Sequence, residues 1–157
     1  MATAKIKQFR ARQFGSAPYG NLSVLAYALK TLATGAVDNS DAVGPLAAGD
    51  VVDLGPLPEG MRLEDAQIIV TTGMTATITG SLGFKYEDGV DDAAVPQDAA
   101  YFGAGIDLAT AGRKRATGAK LVTLPKPARL ILTTAVAANA KVSDIKVLVS
   151  GELTGAN

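Results

Sequence analysis

The 157-residue chain is patterned with a period of two. Over residues 75–84 the even positions are Ala76, Ile78, Gly80, Leu82 and Phe84, and the odd positions are Thr75, Thr77, Thr79, Ser81 and Gly83. One apolar face opposite one hydroxyl-rich face predicts a half-buried antiparallel strand, because successive side chains of an extended chain point to opposite sides. Residues 144–153 repeat the pattern, with Ile145, Val147, Val149 and Leu153 on one face and Asp144, Lys146, Ser150 and Glu152 on the other; Leu148 is the exception. Residues 63–72 set Ala66, Ile68 and Val70 on one side. Residues 128–136 (ARLILTTAV) are apolar enough for a central strand. Shorter strands are predicted at 50–54, 100–108 and 119–124.

Turn signals separate these segments. Leu57-Pro58-Glu59-Gly60 has proline second and glycine fourth, which fits a type I turn. Asp88-Gly89 and Asp38-Asn39-Ser40-Asp41 also read as turns. Many short strands divided by turns predict a sandwich or barrel. Residues 21–34 admit two readings. Leu22, Leu25, Leu29 and Leu32 follow helical spacing between an Asn21 cap and Gly35. With period two, Leu25, Tyr27 and Leu29 oppose Val24, Ala26, Ala28 and Lys30. Local pattern alone favours the helix. Residues 1–20, with Gly15, Pro18 and Gly20, read as an extended basic arm ahead of a single domain over 21–157.

Composition narrows the chemistry. Aromatic residues are only 5% of the chain, so the core is built from Val, Ile, Leu and Ala, which suit strands. The chain contains no cysteine and no histidine. Their absence excludes a disulfide framework, thiolate or imidazole metal ligands and the usual nucleophile triads. Carboxylate chemistry survives that exclusion. Glu64 and Asp65, however, are adjacent on a predicted strand and are expected to point to opposite faces. Glu87, Asp88, Asp91, Asp92 and Asp98 offer oxygen ligands without the spacing of a calcium loop, and are read as a solvated acidic loop. Gly103-Ala104-Gly105 has Leu108 where a dinucleotide fingerprint needs a third small residue, and reads as a loop that needs glycine for its backbone. No catalytic residue, metal site or cofactor is assigned, and no enzymatic activity is expected. No apolar run reaches the roughly 18–20 residues of a membrane span. The basic start leads into Gln, Phe and Gly in place of an apolar signal segment, so synthesis in a cytoplasm is expected.

Formal charge is zero but sorted along the chain. Residues 1–30 hold Lys5, Lys7, Arg10, Arg12 and Lys30 with no acid. Residues 31–107 hold thirteen Asp/Glu against Arg62 and Lys85. Residues 108–157 hold eight Lys/Arg against Asp144 and Glu152. Such a chain can associate head to tail or lie on an oppositely charged surface, unless folding remixes the thirds.

The block GDVVDLGPLPEGMRLEDAQIIVTTGMTATITGSLGFKYEDG (49–89) resembles a pattern in tailed-bacteriophage virion proteins encoded near major capsid genes. A strand ending in Leu-Gly leads into a Leu-Pro-x-Gly turn, then a "ledaqiivt" strand, a Thr-rich strand and a small Gly-Phe terminus. AAYFGAGIDLATAGRKRA (99–116) and LILTTAVAANAKVSDIKVLVSGEL (130–153) are similar in kind to later segments of the same family, and the likeness extends over residues 22–153. The resemblance implies a capsid decoration (cement) protein: all-β, an antiparallel β-sandwich of jelly-roll-like form, with 21–34 as a strand. It further implies a virion protein on the capsid exterior whose partners are the major capsid protein and itself, as homodimer or homotrimer. Tail or head-fibre proteins are the nearest alternative. A carbohydrate-binding sandwich is disfavoured by the poverty in Tyr and Trp.

Within that reading the basic residues Lys5, Lys7, Arg10 and Arg12 of the arm, together with Arg113, Lys114 and Arg115, are candidate contacts to the capsid or a neighbouring subunit. The Arg113-Lys114-Arg115 triplet is read first as a solvated turn, then as a protein contact, and last as a holder of nucleic-acid phosphates. Tyr101 and Phe102 lie too far along the chain to give it an evident stacking platform. Thr71, Thr75, Thr77 and Thr79 form ordinary β surface or a subunit contact face.

Overall fold

Alternation along the chain becomes alternation in burial. In the last strand of the computed structural model, Ser143–Leu153, Ile145, Val147 and Val149 are buried while Lys146 is exposed. The structure describes residues 1–7 and 22–153. In chain order the strands are β1 (Thr3–Lys5), β2 (Leu22–Thr31), β3 (Val51–Leu57), β4 (Met61–Thr72) and β5 (Thr79–Tyr86). They continue as β6 (Asp98–Asp107), β7 (Gly112–Arg115), β8 (Val122–Thr123), β9 (Ala128–Ala135) and β10 (Ser143–Leu153). The described residues contain no helix, and so none long and apolar enough to cross a membrane.

Two sheets result, ordered β1-β3-β9-β5-β6 and β2-β10-β4-β7, with β8 also on β4. All pairings are antiparallel except β1 with β3, where Thr3–Lys5 runs parallel to Val51–Asp53. Without β1 and β8, the winding is that of a jelly roll: the chain crosses between sheets at every connection except β5–β6. β9 is the central strand of its sheet, as its apolar sequence requires.

The core lies between the sheets. Leu25, Tyr27 and Leu29 of β2, Ile68 and Val70 of β4, and Val147 of β10 join one buried cluster with Leu54, Leu82, Phe84, Leu130 and Leu132. Each such aliphatic side chain contributes about 1.5–3 kcal/mol on burial. The scarce aromatics are concentrated, with edge-to-face contacts of Phe84 with Tyr101 (5.5 Å) and Tyr101 with Phe102 (4.8 Å). The Tyr27 hydroxyl donates to the Pro56 carbonyl at 2.8 Å and so ties β2 to β3 across the sandwich.

Several expectations are corrected. The helix that local pattern favours over 21–34 does not form among the described residues 22–34, and the strand implied by the resemblance does: β2 buries Leu25, Tyr27, Leu29 and Thr31 alternately, since only an extended chain can pair with β10 through ten consecutive residues. Residues 75–78 are a turn, and β5 starts at Thr79. The Thr75 amide donates to the Asn139 side chain (3.0 Å) instead of a strand, Thr77 has φ 72°, and Ala76 is exposed. The 57–60 turn sits one residue later than expected. Met61 N–H donates to the Pro58 carbonyl at 3.4 Å with Gly60 third at φ 75°, a type II pattern that glycine permits. Glu64 and Asp65 do not face opposite ways. A bulge sets Ser150 against Asp65 and Gly151 against Leu63, so Leu63 and Ala66 are buried and both acids between them lie on the outer side. The Gly103-Ala104-Gly105 stretch lies inside β6, where register shifts coincide with φ 150° at Gly103 and 65° at Gly105.

Candidate interaction surface

The outer face of the β2-β10-β4-β7 sheet is the surface on which chemistry-bearing side chains converge. Pairing alone builds its rows. Lys146 stands between Ala28 and Ile69, and Ile69 is next to Arg113. One row along, Leu148 stands between Ala26 and Gln67, and Gln67 is next to Arg115. Leu22 and Val24 extend the apolar part along β2 and are 64% and 57% exposed. The face is therefore an aliphatic strip crossed by charge.

Most of that charge is neutralised locally. Arg62 reaches Glu64 and Glu152, each at 2.5 Å, Arg115 holds Asp65 at 2.8 Å, and Lys30 is 4.0 Å from Asp144. Among the described residues Lys146 has no acidic partner, and Arg113 binds only the Gln67 amide oxygen. The face thus offers two uncompensated cations around Ile69.

The expected Arg113-Lys114-Arg115 turn is a strand, because its backbone pairs with Gln67–Val70 along the open side of β4. Strand alternation then divides the triplet. Arg113 and Arg115 share the outer face with Ile69 and Gln67, whereas Lys114 opposes the buried Ile68 and reaches Asp107 (3.9 Å) and the Thr110 carbonyl (3.0 Å). Lys5 and Lys7 are exposed at β1, an edge of the other sheet. The Lys5 amide donates to Asp41 at 2.7 Å, which lowers the Asp41 pKa. Arg10 and Arg12 lie outside the described residues. The structure brings Arg113, Arg115 and Lys146 together and leaves Lys5 in, and Lys7 just beyond, an edge strand of the other sheet.

The acidic loop is occupied by its own backbone. Asp91 accepts the amides of Asp92 and Gln97 (2.9 and 2.7 Å), Asp92 accepts those of Ala94 and Val95 (both 2.9 Å), and Asp88 pairs with Lys126 at 2.8 Å. The Lys126 hydrogen bond also lowers the Asp88 pKa. Among the described residues no three acidic side chains are placed to hold a metal. A cleft of about 330 Å³ beside this loop is lined by Phe84, Val95, Tyr101 and Val122, with Asp98 and Lys120 paired at 3.7 Å in its wall. Its tyrosine is structural: Tyr101 is buried, its hydroxyl proton is shared between the carbonyls of Lys120 (2.8 Å) and Leu63 (3.1 Å), and its oxygen accepts from the Val122 amide (3.2 Å).

Two features escaped the sequence. Asn139 is buried and its amide donates to Thr31 Oγ1 (3.0 Å) and the Lys141 carbonyl (2.8 Å), while its oxygen accepts from the Thr75 amide (3.0 Å). Asp53 is 2% exposed and receives Arg129 Nε at 3.0 and 3.1 Å across β3–β9. A lone amide in Ala-Ala-Asn-Ala, and an arginine at the mouth of an apolar strand, are the only traces either leaves in the sequence.

No family model and no curated protein sequence matches the chain. Solved structures do. A chain of the capsid of Ralstonia phage GP4 superposes with TM-score 0.62 at 20% identity, over 90% of this chain and 89% of that one. A chain of the cyanophage Pam1 capsid asymmetric unit superposes with TM-score 0.57 at 19% identity, over 94% and 98%. The sandwich is a fold found in two phage capsids. Because both superpositions run nearly end to end, the whole sandwich is shared and not a local motif.

Proposed function

We propose that the chain is a structural, non-catalytic protein of a tailed-bacteriophage particle, one that binds the outside of the assembled capsid and bridges neighbouring capsomers. The observation that carries this reading is the end-to-end fold shared with chains of two phage capsids. The open, partly uncompensated sheet face agrees with a role in adhesion. Arg113 and Lys146, with Lys5 and Lys7 at the β1 edge, are cations without an acidic partner among the described residues that could meet the major capsid protein or a second copy; Arg115 lies beside Arg113 and Lys146 but is paired with Asp65, and Arg10 and Arg12 extend the set in sequence. Self-association as a homodimer or homotrimer gives each particle several grips on the shell.

The mechanism is linkage. A protein that binds the assembled lattice and not free subunits lowers the free energy of the assembled state. One site occupied at about 100 times its dissociation constant adds about 2.7 kcal/mol, and many sites act in parallel. Heating particles with and without the protein while following DNA release tests this. Particles lacking it are expected to release DNA at lower temperature; equal release temperatures would remove the mechanism.

A further inference from the structure

Among the described residues, one unpaired set of cations and one unpaired set of carboxylates lie on different parts of the sandwich. The strand pairings put Thr72, Thr79 and Ser143 at one end and Leu57, Met61 and Tyr86 at the other. At this second end the 58–60 turn and the loop after β5 flank one segment: Gly60 N–H donates to the Leu124 carbonyl (2.9 Å) and Glu87 N–H to the Pro127 carbonyl (3.1 Å). Glu59 and Glu87 therefore share a pole. Among the described residues neither carboxylate has an ion pair or a side-chain hydrogen bond, and both side chains are at least partly exposed. The uncompensated cations Lys146 and Arg113 lie toward the first end, on the outer face of the other sheet, with Ile69 between them.

We propose that this chain associates head to tail with a second copy, the Lys146–Ile69–Arg113 row of one seated on the Glu59/Glu87 pole of the next; it deepens, and rests on, only the self-association part of the function proposed above. Charge complementarity names the occupant. Opposite patches steer encounter and fix register, whereas stacking this face on itself about the row brings cation to cation, which is unfavourable. Ile69, Leu148, Ala26 and Ala28 supply apolar surface beside the cations. Because the two patches lie on different parts of one molecule, the contact is heterologous, and repetition closes a ring when the rotation allows it.

Sedimentation velocity of the full chain over a concentration series tests the proposal. The chain is expected to self-associate, and to do so about tenfold more weakly or worse when salt rises from about 50 to about 500 mM, as exposed charges are screened. R113E/K146E and E59K/E87K are each expected to weaken association on the order of a hundredfold. Both alter exposed or partly exposed side chains, so unchanged melting temperatures show that each variant folds. An equimolar mixture of the two variants is expected to re-associate, since each supplies the partner charge of the other. A chain that stays monomeric throughout, oligomers indifferent to both variants, or variants that fail to re-associate on mixing each overturn the proposal. Binding to phage heads is scored separately. A monomer that still co-sediments with heads sinks this inference and leaves the capsid reading standing; oligomers that respond as expected and never co-sediment do the reverse.

Discussion

Asn139 sits in a run of alanines, carries no charge, and is buried beneath the loops that join the two sheets. Its amide ties the end of β2, the 73–78 turn and its own loop together through Thr31, Thr75 and Lys141. Asn139→Ala leaves the Thr75 amide and the Lys141 carbonyl without these partners, at a cost of about 3 kcal/mol read from urea unfolding. A loss under about 1 kcal/mol would mean that water replaces the amide. Val136 behaves in the opposite way. It is a β-branched residue at φ 80° and is 68% exposed, so its side chain gains little by burial while its backbone sits in the left-handed region. Val136→Gly is expected to stabilise the fold by about 1 kcal/mol, the relief of strain less the extra entropy of an unfolded glycine.

At the scale of elements, β2 gives the sharpest test. A helix would place Leu22, Leu25, Leu29 and Leu32 on one face, whereas the strand buries Leu25 and Leu29 and leaves Leu22 and Leu32 exposed. Leu25→Ala and Leu29→Ala are expected to cost about 2–5 kcal/mol each, and Leu22→Ala and Leu32→Ala about 0.5 kcal/mol or less, by thermal melts of the four variants. The same segment shows what the sequence could convey. Period two was legible in β10 and in β4, because one side of each strand meets the core. It misled over 75–78, where Thr-Ala-Thr-Ile alternates although the backbone is turning toward Asn139. It also failed to show the Glu64–Asp65 bulge, which depends on the partner strand β10. The candidate surface was half legible. The basic triplet stood out, but its division by β7, and the approach of Lys146, exist only once strands far apart in sequence are paired.

Across the whole molecule, folding remixes the sorted charges. Lys30 meets Asp144, Arg115 meets Asp65, Lys126 meets Asp88 and Arg129 meets Asp53, pairs that join different thirds of the chain. Asp41, Asp88 and Asp107 are held below the ordinary aspartate value of 3.8, chiefly by hydrogen bonds from Lys5, Lys126 and Thr110 respectively. A carboxylate whose folded pKa is lowered contributes stability above its unfolded value and loses it as pH falls through the folded one. Burial raises Tyr86 and Tyr101 above the ordinary tyrosine value of 10.0. Their contribution is present below pH 10.0 and is lost as pH rises through the folded values. The melting temperature is therefore expected to fall on acidification below 3.8 and again above pH 10.0; a profile flat through the acid limb would contradict this assignment of the three aspartates. Adhesion to a preformed shell is tested most directly by titrating the full chain onto heads that lack it and sedimenting the mixture. Saturable binding at a fixed number of copies per head, with none to unassembled capsid subunits, is the predicted result; a chain left in the supernatant, or one that binds free subunits equally well, would contradict the account.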